Sequence, residues 1–129
     1  MQIPLKRVQP KHPPLELVSI KLYSTGLKKV FTDRFYKSMN HNFGVEMLIR
    51  NNTEGVQIVK IGGCIKNADG KLIIKWNPKN KKIAAHSSIM QDFYVKEDSF
   101  AEMKTGKYII QFWINDKKVQ NQQFTITYK

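Results

Sequence analysis

Apolar and polar residues alternate with a period of two along most of the chain from residue 15 onward. This alternation, interrupted by glycine, proline, asparagine and aspartate, is typical of β-strands that bury one face. Seven segments show it: residues 17–23, 43–50, 56–66, 71–76, 89–95, 108–115 and a last strand that ends with Phe124, Ile126 and Tyr128. Seven short strands without an amphipathic helix predict an all-β fold, in which two antiparallel sheets form a sandwich.

The same pattern predicts which side chains face inward. The expected inward residues of the first, second and sixth strands are Val18, Ile20 and Leu22; Phe43, Val45, Met47 and Ile49; and Tyr108, Ile110, Phe112 and Ile114. Because side chains alternate between the two faces of a strand, Ile109, Gln111 and Trp113 are expected to point outward.

Turn residues punctuate these strands. Residues 67–70 read Asn-Ala-Asp-Gly and predict a hairpin turn, and Asn115 with Asp116 predicts another. Pro78 ends the fourth strand because proline cannot continue a ladder, and residues 98–104 are expected to hold one helical turn. Gly62 and Gly63 predict a β-bulge or the close approach of another backbone. A phosphate loop is excluded there, since its lysine-containing frame is absent and no helix follows.

Residues 1–14 differ in composition from residues 15–129. Four of the five prolines, Pro4, Pro10, Pro13 and Pro14, lie in this leader, together with three basic residues and no acidic one. Proline stiffens a chain toward the polyproline II conformation, so the leader is interpreted as a semi-rigid linker to another domain. Residues 15–129 are then the sandwich domain.

Composition sets the functional class. The formal net charge is +12, but lysine supplies 19 of the 22 positive charges and arginine only three. Arginine is the residue suited to bidentate reading of phosphates and guanine, so a solvated lysine-rich surface is favoured over specific nucleic-acid binding. The lone Cys64 cannot form an internal disulfide, and there is no apolar run long enough for a membrane span or signal peptide. A cytoplasmic location is therefore expected.

Residues 103–108, which read Met-Lys-Thr-Gly-Lys-Tyr, resemble the tyrosine corner of immunoglobulin-like and fibronectin type III sandwiches. The domain is also similar to a family of poorly characterised bacterial sandwich modules at the C-terminal ends of multidomain proteins. The matching features are Leu22-Tyr23, Asp69-Gly70, Gly106-x-Tyr108 and the turn Asn115-Asp116. The resemblance implies a seven-stranded immunoglobulin-like sandwich with an accessory role, a corner hydrogen bond from the Tyr108 hydroxyl to the backbone, and no catalytic residue.

Catalytic and metal-binding patterns are missing from the sequence. His12, His41 and His86 lie apart from other metal-ligating residues, so no zinc site, other metal or cofactor is expected. Cys64 lies in the middle of a strand and is interpreted as a buried, inert thiol. Asn51 begins a glycosylation sequon but is interpreted as part of a turn. The chain is therefore not expected to be an enzyme.

Two sets of residues remain as binding candidates. The first is the outward row Trp113, Ile109 and Gln111, which is more apolar than a solvated sheet requires and suggests a protein interface. The second is a lysine-rich hairpin and loop with a nearby tryptophan that can stack on a base, comprising Lys60, Lys66, Lys71, Lys75, Lys79, Lys81, Lys82 and Trp76.

These sets give two principal hypotheses. In the first, an accessory module docks through Trp113 onto a partner protein, a neighbouring domain of its parent chain or its own copy. In the second, the lysines bind nucleic acid or another polyanion. Carbohydrate binding through exposed aromatics is a weaker alternative, because clustered acceptor side chains are scarce in the sequence.

Overall fold

The computed structural model describes residues 13–25, 28–39 and 42–129, and most of them lie in strands. The strands are β1 (Leu15–Thr25), β2 (Lys29–Phe31), β3 (Arg34–Tyr36), β4 (Asn42–Asn51), β5 (Gln57–Asn67), β6 (Leu72–Lys75), β7 (Lys79–Ile83), β8 (Ser88–Val95), β9 (Gly106–Ile114), β10 (Lys117–Lys118) and β11 (Gln122–Thr127). One short helix, α1, spans Glu97–Glu102, and a single 3₁₀ turn spans Lys37–Met39. Most of the predicted leader, residues 1–12, lies outside the described residues.

The strands form two sheets. The smaller sheet has the order β2-β1-β4-β8, and the larger sheet has the order β3-β11-β9-β5-β6, with β10 pairing β9 and β7 pairing β5. Only the β3–β11 pair is parallel among the pairings of the described residues. The all-β sandwich is thus confirmed. All seven predicted strands form, and β2, β3, β7 and β10 are additional short strands.

The core lies between the inner faces of the two sheets. The predicted inward rows of β4 and β9 are all buried. Four phenylalanines from different elements meet in this core, with Phe43 contacting Phe35, Phe100 and Phe124 at ring distances of 4.3, 5.8 and 5.3 Å. Such aromatic packing joins both sheets and α1.

The inward prediction for Val18 is wrong. The register of β1 against β4 shifts between Leu17 and Ser19, which leaves Val18 without a partner and 46% exposed. A bulge adds one residue to a strand, so the alternation inferred from Leu22 backward does not continue through it.

The corner before β9 has the geometry that its sequence predicts. The Tyr108 hydroxyl donates a hydrogen bond of 2.6 Å to the Lys104 carbonyl oxygen, and burial raises the pKa of that hydroxyl. The predicted helical turn is α1, and Lys37 donates hydrogen bonds to the carbonyl oxygens of Phe100 and Ala101 in the helix and of Met103 just after it. These bonds join the segment after β3 to the end of α1, just before the chain enters β9.

Two predicted hairpin turns form as expected. At residues 67–70, Gly70 has a positive φ of 83°, and the Asn67 side chain accepts hydrogen bonds from the backbone of Asp69 and Lys71. Between β9 and β10, Asn115 and Asp116 both have positive φ, as a two-residue hairpin turn of this type requires.

The β-bulge predicted at Gly62 and Gly63 is wrong. The pairing of β5 with β9 runs through both glycines without a register shift. Gly63 instead makes room for two rings, because an added Cβ would lie 3.1 Å from Trp76 and 3.2 Å from Phe112. A shift does occur in the pairing of β5 with β6, between Ile65 and Lys66.

Candidate binding surface

The outward side of the larger sheet, here called the larger-sheet face, carries the candidate site. The residues of this face are identified from the strand register. Residues paired with buried residues face inward, and their neighbours along the strand face outward. Its residues include Ile58, Lys60, Gly62, Cys64 and Lys66 on β5; Lys75 on β6; Lys82 on β7; Lys107, Ile109, Gln111 and Trp113 on β9; Lys118 on β10; Gln123 and Thr125 on β11; and Arg34 on β3.

Trp113 lies near one end of this face and is half-buried. In the register it is opposite Gly62 on one side and Lys118 on the other. The hairpin turn beyond it is tied to β5, since the Asn115 side-chain oxygen accepts a hydrogen bond of 2.9 Å from the Lys60 amide. The tryptophan is therefore held on a paired, regular part of the sheet.

An open pocket of about 320 Å³ lies beside Trp113. Gly62 and Gly63 contribute its backbone, Trp76 and Pro78 line it from the segment after β6, and Lys60, Lys75 and Asp116 line it with charged groups. A Cβ added to Gly62 would meet nothing within 4 Å. The pocket thus exists partly because residue 62 has no side chain to fill it.

Positive charge surrounds the apolar centre of the larger-sheet face. Lys60 pairs with Asp116 at 3.2 Å, and both side chains remain well exposed. Among the described residues, Lys66, Lys75 and Lys118 have no carboxylate within ion-pair distance. Exposed ammonium groups without a counter-charge attract an anionic partner.

Cys64 lies at the centre of the same face but is only 3% exposed. Burial raises the pKa of its thiol, and the positive charges of Lys66, Lys75 and Lys118 lower it by less, so the shift is upward. The predicted inert thiol agrees with this burial. In the register, Lys75 is opposite Cys64, Lys66 lies two residues along β5, and Lys118 is opposite Trp113.

The structure divides the two predicted residue sets. Trp113, Ile109 and Gln111 are all half-buried on the larger-sheet face, together with Lys60, Lys66 and Lys75 from the second set. Lys82 also faces outward, opposite Ile58.

The other predicted lysines lie elsewhere. Lys71 is in the turn before β6, and Lys79 and Lys81 pair with the inward-facing Ile61 and Val59, so they project from the opposite side of the edge strand β7. The segment after Pro78 was predicted to be a loop, and that prediction is wrong. Its backbone pairs with β5 although its sequence lacks apolar alternation.

Trp76 faces the sandwich interior. Its ring stacks on Phe93 of the smaller sheet at a centroid distance of 4.9 Å, and its indole nitrogen donates a 3.0 Å hydrogen bond to the Tyr94 carbonyl oxygen. Both contacts hold the two sheets together. Trp76 is therefore a structural residue whose edge reaches the pocket, and Trp113 is the tryptophan of the outer face.

Several contributors to the face were missed from the sequence, among them Lys107, Lys118 and the open space at Gly62. Lys107 precedes Ile109 by two residues, so the same alternation would have placed it outward. Lys118 could have been found from the two-residue turn, which puts it opposite Trp113. No sequence signal distinguishes the open side of Gly62 from the crowded side of Gly63.

The outward side of the smaller sheet, here called the smaller-sheet face, has a different arrangement. Tyr23 crosses over Gly44, and its hydroxyl donates a 2.8 Å hydrogen bond to the Asp92 carboxylate. Lys29 pairs with Glu46 and lies 4.4 Å from the centroid of the Tyr23 ring. Burial, followed by the bond to Asp92, raises the pKa of the Tyr23 hydroxyl.

The described residues hold no group of three or more histidines, cysteines or acids that could bind a metal ion. His86 contacts Glu54 at 3.0 Å, while His12 and His41 lie outside the described residues. Asn51 is fully buried, and its side-chain amide donates to the carbonyls of Gly55, Ile83 and Ala84. No helix in the described ranges is both long and apolar enough to cross a membrane.

Comparisons with known proteins show similarity of fold. No family model matches the chain, and no curated protein matches its sequence. The solved alkylpurine DNA glycosylase of Pseudomonas fluorescens, bound to DNA with an abasic-site analog, matches at a TM-score of 0.61 and 8% identity, over 91% of this chain and 31% of that one.

Two β-glucosidases match in the same way. The β-glucosidase of Listeria innocua, in complex with glucose, matches with a TM-score of 0.61 and 10% identity. The match covers 84% of this chain and 16% of the β-glucosidase chain. The β-glucosidase of Erythrobacter marinus matches with a TM-score of 0.64 and 9% identity, over 87% of this chain and 15% of the β-glucosidase chain. This chain thus spans less than a third of each matched protein. At these identities the matches establish a shared β-sandwich architecture.

Proposed function

We propose that this chain is a non-catalytic accessory module that docks a partner through the larger-sheet face. The observation that carries the proposal is the half-buried row Ile109, Gln111 and Trp113, which lies on a regular part of the sheet with an open pocket beside it. Interfaces commonly have an aromatic anchor at their centre and polar groups at their rim. Here Trp113 supplies the anchor and the lysines supply the rim.

The proposed accessory role has two supports. Each matched protein contains this fold as a minor part of a longer chain. The strand order of the two sheets and the hydrogen bond from Tyr108 to Lys104 also fit the immunoglobulin-like family that the sequence resembles. Fold by itself does not determine function, so the proposal depends mainly on the residues of the larger-sheet face.

The charge of this face narrows the partner to an anionic one. One candidate is an acidic surface on a partner protein or on a neighbouring domain of the parent chain. Nucleic acid is a second candidate, because Lys66, Lys75 and Lys118 lack counter-charges in the described part of the chain. Electrostatic complementarity of this kind speeds association and selects partners by sign.

A capture experiment tests the proposal. The immobilised chain is compared with Trp113→Ala and with the matched control Met90→Ala, which removes a 51% exposed residue from the smaller-sheet face. Circular dichroism confirms that each variant is folded. We expect Trp113→Ala to lose the partners that the wild type and Met90→Ala retain from an extract, with and without nuclease. Retention of the same partners by Trp113→Ala would contradict the proposal.

A further inference from the structure

The pocket beside Trp113 has the form of a site for a flat ring. Along β9, Gln111 is opposite Cys64, whose side chain fills that part of the face, whereas Trp113 is opposite a glycine. Because an added Cβ at Gly62 would meet nothing within 4 Å, the space against the tryptophan is open. An aromatic group can enter it without displacing any side chain of the sheet.

Ammonium groups lie on both sides of this ring site. Lys118 is opposite Trp113 in the register of β10, and Lys75 is opposite Cys64 on β6 and lines the pocket. Neither lysine has a carboxylate partner among the described residues. Lys60, the third lysine beside the pocket, is compensated by Asp116. A ligand with negative charges on either side of a flat ring complements this pattern.

We infer that the larger-sheet face binds single-stranded nucleic acid, with one base stacked on Trp113 above Gly62 and the flanking phosphates held by Lys75 and Lys118. This inference rests on the proposed function, since it uses the same face, and it names the occupant. Aromatic platforms combined with positive charges bind single strands with little sequence preference. An acidic peptide without an aromatic side chain, such as poly-glutamate, would satisfy the lysines but would leave the flat pocket without a matching group.

Duplex DNA fits this face less well than a single strand. The face is a sheet surface in which Trp113 is half-buried, and its arginine, Arg34, lies on the outer strand β3, two strands away from Trp113. The charged residues around Trp113 are lysines, which are less suited than arginine to reading base edges in a groove. A single strand exposes its bases and can lay one of them flat against the tryptophan.

Fluorescence polarisation with two labelled probes tests the inference. One probe is an oligothymidylate of about twelve nucleotides, and the other has the same length and phosphates but only abasic sites. Since stacking is worth at least about fivefold in affinity per base, we expect the thymidine probe to bind at least about fivefold more tightly. With the two phosphate contacts assigned to Lys75 and Lys118, raising salt from about 50 to about 200 mM should weaken binding about sevenfold.

Matched variants separate the contribution of base stacking to affinity from that of the phosphate contacts. Gly62→Leu fills the pocket without changing charge, and it should abolish the preference for thymidine over abasic probe while leaving the abasic affinity unchanged. The double substitution K75Q and K118Q should weaken both probes and reduce the salt dependence. The control pair K79Q and K81Q removes the same charge from the opposite side of β7, and it should have a much smaller effect.

The outcomes distinguish this inference from the proposed function. Equal binding of both probes, or a thymidine preference that survives Gly62→Leu, overturns the base site. If neither probe binds but poly-glutamate does, and Trp113→Ala abolishes that binding, the inference fails while the docking face stands. If the K79Q and K81Q pair weakens binding as much as K75Q and K118Q, the larger-sheet face is not the nucleic-acid site.

Discussion

The outward faces of the two sheets differ in how their charged and aromatic residues are paired. On the smaller-sheet face, Lys29 pairs with Glu46, and Tyr23 is bonded to Asp92 and is only 5% exposed. On the larger-sheet face, Trp113 stands beside an open pocket, and Lys75 and Lys118 lack acid partners among the described residues. The contacts of Tyr23 with Asp92 and of Lys29 with Glu46 stabilise the domain, although Phe31 and Tyr94 of the same face remain 54% and 42% exposed. We propose that the uncompensated lysines of the larger-sheet face serve an anionic partner.

Substitution of the outward glycines Gly44 and Gly62 tests this comparison and should give the largest difference in the free energy of unfolding. A Cβ at Gly44 would lie 2.5 Å from the Tyr23 hydroxyl and 2.9 Å from the Phe93 carbonyl oxygen. Gly44→Ala should therefore displace Tyr23 and destabilise the domain by about 2–3 kcal/mol, a value typical of overpacking. Gly62→Ala should change stability by less than about 0.5 kcal/mol, because its surroundings are open.

Urea denaturation of both alanine variants measures the difference. Similar shifts in their midpoints would show that the two faces are equally packed, and the comparison would be lost.

Tyr23→Phe tests the internal bonding of the smaller-sheet face. Loss of the hydroxyl leaves Asp92 without its donor, and we expect a destabilisation of about 1 kcal/mol at neutral pH. An unchanged denaturation midpoint would contradict the role assigned to this bond.

The same substitution predicts a difference at alkaline pH. The folded-state pKa of Tyr23 is raised above the ordinary 10.0, so its contribution is complete below pH 10 and is lost as the unfolded chain ionises above it. The wild type should lose up to about 1.4 kcal/mol more per pH unit above pH 10 than Tyr23→Phe, because one fewer tyrosine is held neutral in the variant. Parallel alkaline losses in the two proteins would contradict this account.

Lysine substitutions give the smallest expected effects on stability. Lys29→Gln should cost up to about 1 kcal/mol, because its partner Glu46 is largely buried. Lys75→Gln and Lys118→Gln should each change stability by less than about 0.5 kcal/mol, as is usual for unpaired surface residues. Thermal melts of the three variants, at matched ionic strength, would contradict the comparison if all three lost the same stability.

The fold could be predicted from the sequence wherever the alternation was strong and uninterrupted. Buried rows such as those of β4 and β9 contain only apolar residues, so their faces follow directly from the pattern. Val18 was misplaced because a bulge shifts the alternation by one residue. The strand β7 was missed because four of its five residues are polar and its position depends on pairing with β5.

The candidate site was predictable only in part. The outward direction of Trp113 follows from its buried neighbours Phe112 and Ile114. The different roles of Trp76 and Trp113 depend on which sheet each ring contacts, and that relation joins distant segments. The division between Lys75 and Lys79 likewise depends on the register of two short edge strands, which local sequence does not determine.

The most direct test of the central claim is a titration of the isotope-labelled chain with the oligothymidylate, followed by nuclear magnetic resonance. We expect the signals of the Trp113 indole and of the amides of Gly62, Gln111 and Lys75 to shift as the probe is added. The signals of Tyr23, Asp92 and Met90 on the smaller-sheet face should stay in place. Shifts confined to the smaller-sheet face, or no shifts at low salt, would contradict the assignment of the larger-sheet face as a nucleic-acid-binding surface.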